Sequence, residues 1–257
     1  MRRLGSISSA LAAAALLLSA CAAKPPAGDA DAQEAYREAN DPLEPTNRKI
    51  YAVNDRIDRY TLRPAAVAYR DVVPGTVRSH VHNVLSNIGN PVQFTNDVLQ
   101  GKPRKAGDTF MRFLINTTVG VGGLFEVATD WGYPDHDNDF GMTMALWGLP
   151  EGPFLFLPIL GPSSPREGIG YGINSTLDPF TWASFGGSAS LGWSRFGVGA
   201  LDGRERVLDE LDSIQKDALD PYATIRSLYR QHRAGQIDQA RTDRPATVPA
   251  WFKQPTP

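Results

Sequence analysis

With a single cysteine, Cys21, in 257 residues, the chain can form no internal disulfide, so the fold must rest on packing and hydrogen bonding alone. It also has no apolar run long enough to cross a bilayer as a helix, which takes about 20 residues. Both the stretch from Ala10 to Leu18 and the run from Phe154 to Leu160 fall short. Basic excess is missing as well: 26 Lys and Arg stand against 28 Asp and Glu, for a net charge of −2 and a pI near 6.1, which excludes the electrostatic footprint of a nucleic-acid binder. Histidine is scarce. His80 and His82 lie at i and i+2 of one helix, point in different directions and cannot share a metal. Neither HExxH nor GxSxG occurs. The acids of Asp135-His136-Asp137-Asn138-Asp139 imitate a calcium loop, but Phe140 stands where its sixth position needs glycine and Leu146 where its twelfth needs glutamate. The sequence therefore gives enzymatic chemistry no positive support, although carboxylate pairs brought together only by the fold are beyond its reach.

The N-terminus carries an export signal. Arg2 and Arg3 precede the apolar stretch, and Leu18-Ser19-Ala20 leads into Cys21, so residues 1–20 read as a signal peptide. Because the sole cysteine sits at the cleavage point, the pattern is similar to a bacterial lipobox, with acyl chains, palmitate among them, attached to Cys21. A plain signal peptide is the alternative. Loss of the leader removes two of the 26 basic residues and takes the mature charge to about −4. By analogy with bacterial sorting rules, Ala22 in place of an aspartate directs the lipoprotein to the outer membrane. Residues 21–40 hold too little apolar surface to pack and read as a flexible tether.

From Asp41 the punctuation is helical. Ile50, Val53, Ile57 and Tyr60 share one face of a helix that should stop at Arg63-Pro64. Val77, Val81 and Ile88 share the face of another, which Gly89-Asn90-Pro91 should end, with a further helix from Pro91 to Gln100. Pro103 opens a helix carrying Phe110, Phe113, Leu114 and Thr117. Leu124 to Asp130 reads as a short helix, after a Gly-rich bend that lacks the spacing of a dinucleotide fingerprint. Asp139 is an N-cap, Ser164-Pro165-Arg166-Glu167 a capping box, and Asp220-Pro221 the start of the last helix. One helical stripe is expected from Trp193 to Ala218. Gly168, Gly170, Gly172, Gly197, Gly199 and Gly203 suit helices packed backbone to backbone, or, for the first three, an irregular loop. Two-residue alternation is scarce, so the fold class is mainly α: one domain over 41–238, with a disordered tail at 239–257.

The segment from Asp139 to Gly172 stands apart. Pro153, Pro158 and Pro162 bracket Phe154, Leu155, Phe156, Leu157, Ile159 and Leu160, and this bars both a continuous helix and a central strand. An apolar loop of this kind must hide its side chains in a core, a partner or lipid.

Across residues 40–233 the chain resembles the MlaA (VacJ) family of Gram-negative lipoproteins. The residues that carry the resemblance are Asp41-Pro42-Leu43-Glu44 with Asn47-Arg48, Arg63-Pro64, Asn87, Pro91, Asn96, Leu99-Gln100-Gly101, Arg112-Phe113, Asn116-Thr117-Thr118, Gly120, Gly122-Gly123-Leu124-Phe125, Phe140-Gly141, Gly152-Pro153-Phe154, Leu157-Pro158, Gly161-Pro162-Ser163, Arg166 and Asp220-Pro221-Tyr222. Departures fall at Val53, Val84, Glu126, Ala145 and Leu149-Pro150. The resemblance implies a ring of short amphipathic helices around a central amphipathic channel, seated in the inner leaflet of the outer membrane beside a trimeric porin. Phospholipids misplaced in the outer leaflet would pass through it to a soluble periplasmic carrier. It implies no cofactor beyond the acyl chains on Cys21. The six apolar residues from Phe154 to Leu160 become candidates for seating the protein in the membrane or rimming the pore. The competing reading is a structural lipoprotein that organises porin or cell wall without moving lipid.

Overall fold

The sequence ADAQEAYREA is rich in residues of high helix propensity. In the computed structural model, which describes residues 29–182 and 188–242, it forms α1 (Ala30–Ala39), so the body-proximal half of the expected tether is helical. The leader 1–20, Cys21 and the tail from 243 lie outside the described residues. The final helix runs to Thr242, beyond the boundary expected at 238.

Two prolines that should end helices do not. After α2 (Glu44–Ile57), residues Asp58–Leu62 widen into a π-helical turn and α3 (Arg63–Val72) follows directly, with Pro64 in its first turn. The wider turn makes room for the proline ring, and the Arg63 N–H reaches back five residues to the Asp58 carbonyl. Pro91 lies inside α4 (Gly75–Leu99), where its missing N–H leaves the Asn87 carbonyl without its helical donor. What outweighs that loss is α5 (Pro103–Thr118), which folds back along α4 in the most extensive helix pairing of the structure. The Asn87 amide donates across this pairing to the Thr117 hydroxyl at 2.9 Å.

Leu124 to Asp130, expected as a helix, is a series of turns. Positive φ at Val121, Gly122 and Gly123 turns the chain back, and Gly120 lies so close that a Cβ there would sit 2.3 Å from the Phe125 carbonyl oxygen. Asn116 then accepts from both the Val127 and Ala128 amides, at 2.9 and 3.0 Å. The local sequence gave no sign that a side chain on α5 would claim these donors.

The expected apolar loop is a small antiparallel hairpin. It lies between α6 (Phe140–Leu146) and α7 (Pro165–Leu177), and pairs β1 (Leu155–Leu157) with β2 (Gly161–Ser163), Phe156 opposite Pro162. The caps read from sequence are in place: Asp139 accepts from the Met142 amide at 2.9 Å and Ser164 from the Glu167 amide at 3.3 Å. Beyond lie α8 (Pro179–Trp182), α9 (Ser188–Arg206), α10 (Leu208–Asp217) and α11 (Pro221–Thr242). The single stripe expected from Trp193 to Ala218 breaks at Val207, which leaves helical geometry at ψ 19°.

The apolar core is small. Its main cluster is Phe154, Phe156 and Tyr222, with Ile50, Tyr51, Ile225 and Tyr229 around them, and Tyr51 meets Phe156 edge-on at 5.4 Å between ring centres; α6 separately buries Phe140, Met142, Met144 and Ala145. Among the glycines expected to pack helix against helix, only Gly170 does so closely: a Cβ there would lie 2.7 Å from the Gly141 nitrogen, where α7 crosses α6. Gly172, Gly197, Gly199 and Gly203 face open space. Gly170→Ala should therefore destabilise the fold by about 1–3 kcal/mol through overpacking. Gly172→Ala, on the same helix, should add up to about 1 kcal/mol by propensity alone. Denaturant unfolding of the two variants tests the crossing; equal effects would contradict it.

Candidate functional site

Several helices are polarised the reverse way to those of a water-soluble bundle, whereas α6 buries Phe140, Met142, Met144 and Ala145. On α5 the buried face is Ala106, Thr109, Arg112, Ile115 and Asn116, while Phe110 and Leu114, one turn apart, are exposed. On α4 the buried residues are Asn87, Asn90, Asn96 and Asp97, and Val77, Val98 and Leu99 face out. On α2 only Asn47 is fully buried, and Val53 and Ile57 are exposed. On α9 Asp202, Arg204 and Glu205 are buried and Trp193 is 76% exposed, while the short α8 buries nothing and leaves Trp182 70% exposed. Exposed apolar residues scattered singly are ordinary, but continuous helix faces of them mark a partner or lipid.

Among the described residues, several interior hubs are charges surrounded by partners. The Asp97 carboxylate, wholly buried, accepts from the Thr109 hydroxyl at 2.7 Å, the Asn138 amide at 2.6 Å and His136 Nε2 at 2.9 Å. Arg112 donates to the Tyr133 carbonyl at 2.7 Å and Thr129 Oγ1 at 3.0 Å, and pairs with Glu126 at 3.1 Å. Arg233 bridges Asp139 and Glu167, and Arg166 closes that group on Glu167 at 3.1 Å. Arg204 is held by Asp58 at 2.7 Å, while Asp212 takes Arg63 at 2.7 Å. A cavity of about 230 Å³ opens beside Arg166, Arg233, Arg241, Glu151 and Asp238. It is smaller than the ~300–1,000 Å³ of pockets that take drug-sized ligands, and far smaller than a phospholipid.

The hairpin joins the polar interior to the apolar exterior. Its six candidate residues do not act together. Phe154 and Phe156 are buried against Tyr222, Leu155 and Leu157 are half-buried, and Ile159 and Leu160 are exposed. Phe154 and Phe156 are thus core residues, which corrects their place among the membrane-seating candidates: alternation along an extended strand sends both to one face, and that face meets the body. Ile159 and Leu160 remain at the tip. Cys21 lies outside the described residues.

Sequence reading named most of the residues that hold this arrangement together but not their contacts. Asp41 accepts from Asn47 at 2.8 Å, Arg226 at 2.8 Å and the Tyr222 hydroxyl, so the first residues of the body clasp the last helix. Burial, then the Asp41 carboxylate, raises the Tyr222 phenol well above its ordinary value and keeps it a donor. Arg48 lies over the Tyr222 ring at 4.5 Å and grips Asp220 at 2.6 Å. Asparagines two helical turns apart, Asn47 and Asn54, were a usable signal, because an otherwise apolar face seldom carries a polar residue at that spacing without a partner.

The family model described as MlaA lipoprotein matches residues 39–236. The Haemophilus influenzae protein named intermembrane phospholipid transport system lipoprotein MlaA is 34% identical over 229 residues, covering 88% of this chain and 90% of that one. The Escherichia coli K12 protein of the same name is 32% identical, covering 75% and 76%. A Rickettsia bellii protein of uncharacterised role is 36% identical over 86% of this chain and 82% of its own length. Among solved structures, one described as "Structural basis for maintenance of bacterial outer membrane lipid asymmetry" matches with a TM-score of 0.67 at 30% identity, covering 77% of this chain and 98% of that one.

The clasp predicts an acid response. The Arg48 guanidinium holds the Asp220 carboxyl below the usual carboxylate range, and Arg63 does the same for Asp212. A carboxylate depressed on folding contributes stability above its unfolded pKa of about 3.9, and that stability is lost as pH falls through the folded value. Asp220→Asn retains the cap on the Ala223 amide but not the charge. Its stability should therefore vary less with pH below about 4 than the wild type's. Urea unfolding at stepped pH measures this, and parallel pH curves would remove Asp220 from the clasp.

Proposed function

The chain belongs to the MlaA lipoprotein family, and from that premise we propose that it acts in intermembrane phospholipid transport, clearing misplaced phospholipids from the outer leaflet of the outer membrane. Lipid would pass through an amphipathic passage among the helices and leave to a soluble periplasmic carrier. The protein would sit in the inner leaflet, tethered through an acylated Cys21 and flanked by a trimeric porin.

The observation that carries this reading is the reversed polarity of α2, α4 and α5, with asparagine, aspartate and arginine inward and valine, leucine and phenylalanine outward. A phospholipid presents two opposed requirements. Its charged headgroup is costly to bring into hydrocarbon, and its acyl chains are costly to expose to water. A polar interior with an apolar perimeter offers a path for the first beside a solvent for the second. Among the described residues no helix is long and apolar enough to cross a membrane, which suits a body lying within one leaflet. Such a task makes and breaks no bond. At the hairpin, Ile159 and Leu160 would enter the acyl region, with Leu155 and Leu157 at its margin.

In cells carrying only the variant, Leu160→Asp should raise outer-leaflet phospholipid several-fold, because a carboxylate at the tip opposes entry into hydrocarbon. Digestion by phospholipase added to intact cells reads that pool. Cys21→Ser should raise it too, and release the protein into the periplasmic fraction. Wild-type phospholipid levels in a strain lacking the chain altogether would exclude lipid clearance and favour a purely structural lipoprotein.

A further inference from the structure

One edge of β1 pairs with β2; the other faces α2, which can offer no strand. Asn47 fills that edge, and Asn54 binds the turn just past the end of β1. Asn47 donates to the Phe154 carbonyl at 3.1 Å and accepts from the Phe156 amide at 2.9 Å. Asn54 repeats the pattern three residues on, donating to the Leu157 carbonyl at 2.9 Å and accepting from the Ile159 amide at 3.0 Å. The Asn47 carboxamide thus stands in for a peptide group of a missing strand, and that of Asn54 ties down the start of the turn. The spacing fits: seven residues of helix rise about 10.5 Å and three residues of strand about 10 Å.

The two rungs differ in what else holds them. Asn47 is fully buried, is bonded also to Asp41, and lies beside Phe154 and Phe156, which are wedged against Tyr222. Asn54 is only half-buried, and its rung lies at the end of the strand pairing, which stops at Leu157 opposite Gly161. Just past it Ile159 is 66% exposed and holds φ at +68°, a conformation that a β-branched residue rarely adopts. Strain of that kind persists only where surrounding bonds impose it. Two bonds meet there: the Leu160 amide donates to the Pro158 carbonyl at 2.8 Å, closing a tight turn about Ile159, and the Ile159 amide donates to Asn54, which ties that turn to α2.

We propose that Asn54 is a positioning residue for lipid passage: it fixes the height and angle at which the apolar tip, Ile159 and Leu160, leaves the body, while Asn47 anchors the base of the hairpin. The lipid role of the tip rests on the function proposed above; the mechanical role of Asn54 does not. Losing the rung detaches the turn from α2 and leaves only the local Leu160–Pro158 bond to hold Ile159, and the tip then swings about Leu157 without disturbing Phe154 and Phe156.

The test uses the full lipidated chain in vesicles of phosphatidylethanolamine and phosphatidylglycerol, with amide hydrogen exchange read at Phe156 and Ile159. Asn54→Leu should speed exchange at Ile159 about tenfold, the effect of one net hydrogen bond, and leave Phe156 at its wild-type rate. Asn54→Asp keeps the oxygen that accepts from Ile159, so it should protect that amide even though the Leu157 carbonyl loses its donor. In cells, outer-leaflet phospholipid should rise several-fold with the leucine variant and less with the aspartate one. Unchanged exchange at Ile159 would overturn the positioning role, as would equal acceleration at Phe156 or equal exchange in both variants. Faster exchange with normal lipid levels would overturn its part in transport. If removing the whole chain leaves lipid levels normal, lipid clearance itself fails, and the exchange rates still decide the role of Asn54.

Discussion

Every charge that these helices turn inward has to be met by another group, and that requirement organises the molecule. Arg112 has 2% of its side-chain surface exposed, and an unpaired guanidinium at such depth would cost several kcal/mol. Its partners come from the turns at Glu126, Thr129 and Tyr133, which explains why that segment wraps α5 and does not continue as a helix. The other hubs join parts far apart in sequence: Arg226 reaches Asp41, Arg204 reaches Asp58, and Arg233 reaches Asp139 and Glu167. A buried ion pair adds little net stability over an apolar replacement, but removing one partner is severe. Such pairs therefore select one arrangement of short helices out of many, which the small apolar clusters at the hairpin and α6 could not do alone.

The same requirement sets what the outside must be. Once the polar faces are used inside, the apolar faces are left for the surroundings, and Phe110, Leu114, Trp182 and Trp193 project outward. In water this arrangement would forfeit the burial that normally drives folding. Beside acyl chains it forfeits nothing, because hydrocarbon solvates those faces as well as a protein core would. Polarity inside and lipophilicity outside are thus one choice, made in the helical period of α2, α4 and α5.

Much of the local structure was legible. Asp139, Ser164 and Asp220 cap the helices they precede, Pro103 opens α5, and the mainly helical class holds, because capping depends on a few adjacent residues. What failed was whatever tertiary contact decides. Pro64 and Pro91 read as stops, yet a π-helical turn accommodates one and the pairing with α5 outweighs the other. The hairpin was hidden by its prolines and glycines, since strand propensity gives no sign that a neighbouring helix will supply the missing edge. The family resemblance drew attention to Asn47, Arg112 and Asn116 as residues. Their tasks emerge only from geometry: one asparagine imitates a strand, the other gathers the amides of a turn.

Those tasks also connect the hairpin to both ends of the described chain. The Phe154 amide donates to the Asn40 carbonyl at 2.7 Å, and the Asn40 side chain donates to the Gly152 carbonyl at 2.7 Å, so α1 ends directly on the hairpin's base. One residue on, Asp41 receives Asn47, Tyr222 and Arg226, which brings α11 to the same point. The N-terminal segment is therefore joined to the hairpin by neutral hydrogen bonds at Asn40 and to α11 by the charge-assisted bonds of Asp41, which are directional where apolar contacts can slide. Under that arrangement the height of the apolar tip above the body follows from the backbone of α2, because Asn47 holds β1 and Asn54, two helical turns on, holds the turn that follows it.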